Sequence, residues 1–123
     1  MKIGELVART GVNHRLLRYY EEQGLLTAFR TGGGAHRHYA DNAPETVRRI
    51  RALLAAGLST AVIRDILPCA TGDGPDFDFA ACTLQTLRGH LGGIDERIGE
   101  LTRMRTSLAA LIADTEAGAL ATV

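Results

Sequence analysis

The sequence predicts a mostly α-helical chain: a small helical head carrying one β-hairpin, then a hinge, then a long C-terminal helix. Three observations predict it. Hydrophobic residues fill 46% of the 123 positions while aromatics fill only 5%, so the core is aliphatic, which leans towards helices. Apolar residues recur at helical spacing up to Leu67 and in steps of three and four after Leu84. Between these runs lie glycine-rich stretches at 32–34 and 68–78 that a helix does not accommodate.

The first helix is "IGELVART", with Ile3, Leu6 and Val7 on one face and Gly11 ending it. Asn13 is a good N-cap for a second helix over 13–23, because its side chain can accept from an orphan backbone amide. Two short helices joined by a tight glycine turn make a helix-turn-helix candidate. In the second helix Leu17 and Tyr20 face inward with Val12, whereas Arg15, Arg18, Tyr19 and Glu22 share another face. Gly24 supplies the left-handed C-terminal residue.

Residues 25–39, "LLTAFRTGGGAHRHY", are read as a hairpin with arms near 26–30 and 36–39. Its tip is flanked by Arg30, His36, Arg37, His38 and Tyr39, cations and an aromatic suited to phosphate and minor-groove contact. Asp41 or Asn42 caps the next helix, with Pro44 in its first turn. There Val47, Ile50, Leu53 and Leu54 form the inner stripe, and Arg48, Arg49 and Arg51 look outward. Gly57 ends this helix, and Ser59 caps a short one that turns Val62, Ile63, Ile66 and Leu67 inward until Pro68.

Residues 1–67 are thus the head, 68–79 a hinge, 80–115 a long helix and 116–123 a short tail. In the long helix Leu84, Leu87, Leu91, Ile94, Ile98, Leu101, Leu108 and Ile112 form a heptad seam that skips Arg105. Either Arg105 is a polar seam position that sets register, or the seam drifts onto Met104. A helix of roughly 50 Å, at ~1.5 Å per residue, cannot bury such a stripe on itself and calls for a partner helix.

Net charge is zero, yet its distribution is lopsided. Met1–Ile66 holds ten Lys and Arg against six Asp and Glu, and the remainder holds four against eight. An anion-binding half is implied. An enzyme is not: there is no nucleophile–base pattern, and "TGGGAHR" lacks the Lys-Ser/Thr pair and following helix of a phosphate loop. No signal peptide and no membrane-spanning run are present, so a cytoplasmic protein with reduced cysteines is expected.

The stretches "IGELVARTGV" at 3–12, "LRYYEEQGLL" at 17–26, Arg30 with "HRHY" at 36–39, and "IRALLAAGLSTAVIRDIL" at 50–67 resemble the MerR family of bacterial transcription regulators. The resemblance runs through the seam and covers nearly the whole chain. Between Arg30 and Tyr39 the wing is a residue longer than the family's usual turn. The resemblance implies a homodimer held by an antiparallel coiled coil, with double-stranded DNA and RNA polymerase as partners at one promoter. It implies a pseudo-palindromic operator within an overlong promoter spacer, which an effector-switched dimer distorts.

By position, Arg15 and Arg18 would contact bases or phosphates beside Tyr19 and Tyr20, with Asn13 and His14 at the helix start. Arg37, Tyr39 and His36 would hold the flanking backbone, with Arg30 and Lys2 as further candidates. No cofactor is evident. The resemblance to metal-sensing, drug-sensing and iron–sulfur relatives implies a ligand-bearing loop after the long helix, a large C-terminal domain or four cysteines, and these classes are not the expected ones. The remaining effector candidates are Cys69 and Cys82 as a thiol or soft-metal switch, or an organic ligand near Phe77, Phe79 and Leu84. Cys82 stands near one metal-ligating cysteine of mercury-sensing relatives. An excisionase-like DNA-bending protein and a coiled-coil interaction module are the alternatives.

Overall fold

The computed structural model describes residues 1–31, 36–71, 78–79 and 81–121. The wing-tip glycines, Phe77, and the side chains of His36 and Cys82 lie outside the described residues. The chain divides into two compact units, Met1–Leu84 and Gln85–Val123.

The first unit holds α1 (Ile3–Thr10), α2 (His14–Glu22), the hairpin β1 (Ala28–Thr31) and β2 (His36–Tyr39), α3 (Ala43–Ala55) and α4 (Thr60–Ile66). Its local signals act as the sequence implies. Gly11 takes φ 72° and its N–H reaches Val7 O. Asn13 Oδ1 accepts from Leu16 N–H at 2.8 Å, and Ser59 Oγ accepts from Val62 N–H at 3.2 Å. The ends of α2 and α3 are built alike. Gly24 and Gly57 stand at positive φ, and the N–H of the following leucine bonds back five residues, Leu25 to Tyr20 O and Leu58 to Leu53 O. This closing pattern satisfies carbonyls that a helix end leaves open and folds the leucine inward.

α1 packs on α2, α3 and β2, and α3 packs on α4. The core between them is Leu6, Val12, Leu17, Tyr20, Leu25, Leu26, Tyr39, Val47, Ile50 and Ile63, with neighbours. The first wing arm starts later than expected, at Ala28, because Leu25 and Leu26 are buried in the core. Asn42 stands at the head of α3 without a side-chain capping bond. Arg49 is half-buried where an outward residue was expected, while Arg48 and Arg51 are exposed. The N-terminal backbone clasps the wing: Met1 N donates to Tyr39 O and Tyr39 N donates to Met1 O, both at 2.7 Å.

The expected hinge is closed at its base. After a 3-10 turn at Leu67–Cys69, β3 (Ala70–Thr71) pairs antiparallel with β4 (Asp78–Phe79). A second 3-10 turn, Ala81–Thr83, leads to α5.

The second unit is α5 itself, Leu84–Ala121, 38 residues and about 57 Å at ~1.5 Å per residue. It runs past the expected end near residue 115 because Glu116, Ala117, Ala119 and Ala121 are strong helix formers. Leu91, Ile94, Ile98, Leu101, Leu108 and Ile112 are all exposed, as are Met104 and Leu111. The apolar stripe is therefore wider in its C-terminal half than a two-per-heptad seam. Leu87 is half-buried. No helix among the described residues is long and apolar enough to cross a membrane.

Candidate nucleic-acid interface

α2 is sorted by its 3.6-residue period. Leu17 and Tyr20 go to the core. His14, Arg15, Arg18, Tyr19 and Glu22 line one shallow concavity on the other side. Asn13 is exposed but its side-chain oxygen is committed to the cap. The two adjacent tyrosines differ sharply: Tyr19 is 42% exposed and Tyr20 only 2%. Their ring centroids lie 6.3 Å apart at 51°, so the outer ring leans on the inner one.

Gly24 lets α2 end against α4. Arg64 Nε donates to Gln23 O at 2.7 Å, and Thr60 Oγ1 donates to Gln23 Oε1 at 3.3 Å. A Cβ at Gly24 would meet Arg64 Nε at 3.2 Å, on a backbone already at φ 75°. The outer helix is thus fixed at its C-terminus by a cation that also suits the negative end of the helix dipole.

The wing's register opposes Phe29 to His38 and Arg30 to Arg37. Strand alternation puts these pairs on opposite faces. Phe29 and His38 stack at 6.1 Å and 25° on one face. On the other, Arg37 Nη1 lies 2.9 Å from Glu21 Oε2, and the Tyr39 hydroxyl donates to Glu21 Oε1 at 3.1 Å. One carboxylate on α2 therefore grips the wing at two points. A second concavity, lined by Glu21, Gly24, Leu26, Thr27, Ala28, Arg30 and Arg37, opens at this junction.

The predicted contact residues do not share one fate. His14, Arg15, Arg18, Tyr19, Arg30, Arg37 and Lys2 are exposed. Tyr39, at 1% exposure, joins Tyr20 in the core. Their rings support the face from behind and present almost no surface to a ligand. Glu21 and Arg64 were missed by the sequence reading. The only trace of Glu21 is its place four residues after Leu17, on the edge of the buried stripe. Of the effector candidates, Cys69 is a half-buried free thiol, and Phe79 is half-buried in β4. Among the described residues no three His, Cys, Asp or Glu gather as a metal site.

Burial raises the Tyr20 phenol above its ordinary range, against the opposing charge of Arg51. Burial also raises Tyr39, reinforced by its bond to Glu21 and that residue's charge, and opposed by Arg37 and Arg18. A phenol harder to ionise in the folded state stabilises the fold fully below its unfolded value of about 10. That contribution is lost as pH rises from there through the folded value. The melting midpoint, followed by circular dichroism, is therefore expected to drop above about pH 10, and less steeply in Tyr20→Phe. An identical drop in the variant would exclude Tyr20 as a source.

Residues 1–69 match the family described as MerR HTH family regulatory protein, and residues 45–111 match that described as MerR, DNA binding. Nodulation protein NolA of Bradyrhizobium diazoefficiens is 34% identical over 116 residues, covering 94% of this chain and 45% of NolA. The chain thus spans under half the length of the NolA relatives it matches. The HTH-type transcriptional regulator HmrR of Rhizobium leguminosarum bv. viciae is 32% identical over 113 residues, covering 91% of this chain and 84% of HmrR. Heavy metal-dependent transcription regulator 2 of Rhizobium meliloti is 28% identical over 109 residues, covering 88% and 71%.

Proposed function

The chain belongs to the MerR family of DNA-binding transcriptional regulators, and from that premise we propose that it acts as a homodimer on a two-fold symmetric promoter operator. The observation that carries the dimer is the apolar stripe of α5, exposed along its length in a single copy. Lipid-free helices of this kind bury such a stripe only by pairing. Pairing of α5 would join two heads in one molecule, one for each half of a two-fold symmetric site.

In this reading α2 enters the major groove with Arg15 and Arg18 leading. An arginine fork matches guanine edges and phosphates alike. The wing takes the flanking backbone through Arg30 and Arg37. Two grips on either side of a half-site are what bending requires, so the dimer distorts the spacer for RNA polymerase on the same promoter. The protein works at the nucleoid, in the cytoplasm, and switches with an effector.

The test uses the full chain. Light scattering is expected to give twice the 13.2 kDa chain mass. A footprint on the DNA upstream of its own gene is expected to be two-fold symmetric. Arg15→Ala and Arg18→Ala are each expected to weaken that complex by about 1–3 kcal/mol, roughly 5- to 150-fold. A monomer, or no preference for a symmetric duplex over random DNA, rejects the proposal.

A further inference from the structure

We propose that Glu21 is a specificity-determining residue: an internal anion that occupies the wing's Arg37 in the free protein and so suppresses binding to non-cognate DNA. The inference rests on the reading of α2 and the wing as the DNA-binding face.

The register places Arg30 directly across from Arg37. Like charges in that position repel and destabilise a hairpin. Glu21 answers the repulsion from the neighbouring helix, 2.9 Å from Arg37. Its carboxylate is otherwise held by the Tyr39 hydroxyl, a group fixed in the core. Arg30 lines the same concavity as Glu21 and Arg37, so two arginines share it with one carboxylate. The concavity that holds Glu21, Arg30 and Arg37 is open to solvent. It has the charge and access of a phosphate seat, with a carboxylate already in it.

A partly exposed ion pair is weak, and the Arg37 side chain is 42% exposed. A DNA phosphate held at that spot can therefore replace Glu21 on Arg37. A duplex that does not seat the wing meets the Glu21 charge and gains nothing from Arg37. Loose complexes are penalised and fitted ones are not, which is how a repulsive element yields discrimination.

The experiment titrates the full chain onto a labelled random-sequence duplex across a KCl series. The slope of log affinity against log salt counts phosphate contacts, at about −0.9 for each. Glu21→Gln keeps an oxygen for Tyr39 and removes the charge. It is expected to bind several-fold tighter, with a slope steeper by about one contact per head. Arg37→Gln alone is expected to leave the wild-type slope unchanged, since Glu21 already withholds Arg37. In the double variant the gain disappears. Asp65→Asn, exposed on α4 and outside the DNA-binding face, controls for charge removal and is expected to leave the slope unchanged.

An unchanged slope in Glu21→Gln, an equal gain in Asp65→Asn, or a gain that survives Arg37→Gln overturns the proposal. Should Glu21→Gln not fold, a flatter slope in Arg37→Gln alone also overturns it. A wild-type chain that ignores the random duplex even at low salt overturns the DNA-binding face itself, a separate result.

Discussion

Leu101→Asp is expected to leave a folded head on a chain that no longer pairs. Leu101 is 61% exposed in a single copy and sits in the middle of the α5 stripe, between Ile98 and Met104. On pairing it would be surrounded by apolar side chains. A carboxylate there has no partner, and burying an unpaired charge costs several kcal/mol. The substitution places such a charge in each of the two copies of a pair. Sedimentation is expected to show the mass of one chain, while circular dichroism still shows a cooperative melt of the head. Binding to a symmetric duplex is expected to fall by roughly 100-fold or more, because linkage of two heads multiplies affinity by about 10²–10⁴. A dimeric Leu101→Asp with unaltered affinity would remove α5 as the pairing element.

The second large effect separates two neighbours. Tyr20→Ala is expected to destabilise the head by about 3–5 kcal/mol, as for other buried aromatics cut to alanine. Tyr20 is 2% exposed and lies in the core with Leu17 and Tyr39. Small domains hold only about 5–15 kcal/mol in all, so the variant is expected to be largely unfolded at modest urea. Tyr19→Ala, one residue earlier and 42% exposed, gives up its ring contact with Tyr20 and is expected to cost under about 1.5 kcal/mol. Its loss is expected in DNA binding instead. Urea titration and duplex binding on the two variants read this contrast. Equal destabilisation by both would mean that α2 does not present the face described.

The same pair shows how far the sequence reaches. Helical period alone sends Tyr20 inward and Tyr19 outward, and the structure agrees. Position within a family motif put both beside the DNA, since a motif carries letters without their directions. Asn13, Ser59, Gly24 and Gly57 were legible because caps and left-handed residues act within five positions. Leu25 and Leu26 were not, because an apolar pair before a hairpin reads equally as strand or as core. The β3–β4 pair escaped too, since two-residue strands have no periodicity to detect. Glu21 was the hardest to see. Its partners Arg37 and Tyr39 lie beyond a turn whose geometry no local rule fixes, and a glutamate on a helix among arginines looks like a solvated face. In α5 the stripe was plain, but Met104 and Leu111 widen it beyond a simple heptad, and the alanine-rich tail extends it.

The bare stripe of α5 has one more consequence. In proteins most of a helix's stability comes from packing its amphipathic face rather than from propensity. If that packing comes from a second molecule, folding becomes a bimolecular equilibrium, and mass action governs how much of each molecule is ordered. The cellular dose of the protein would then set two things at once: how many copies carry the paired heads that the proposed function needs, and how well each copy withstands proteases before it finds its mate.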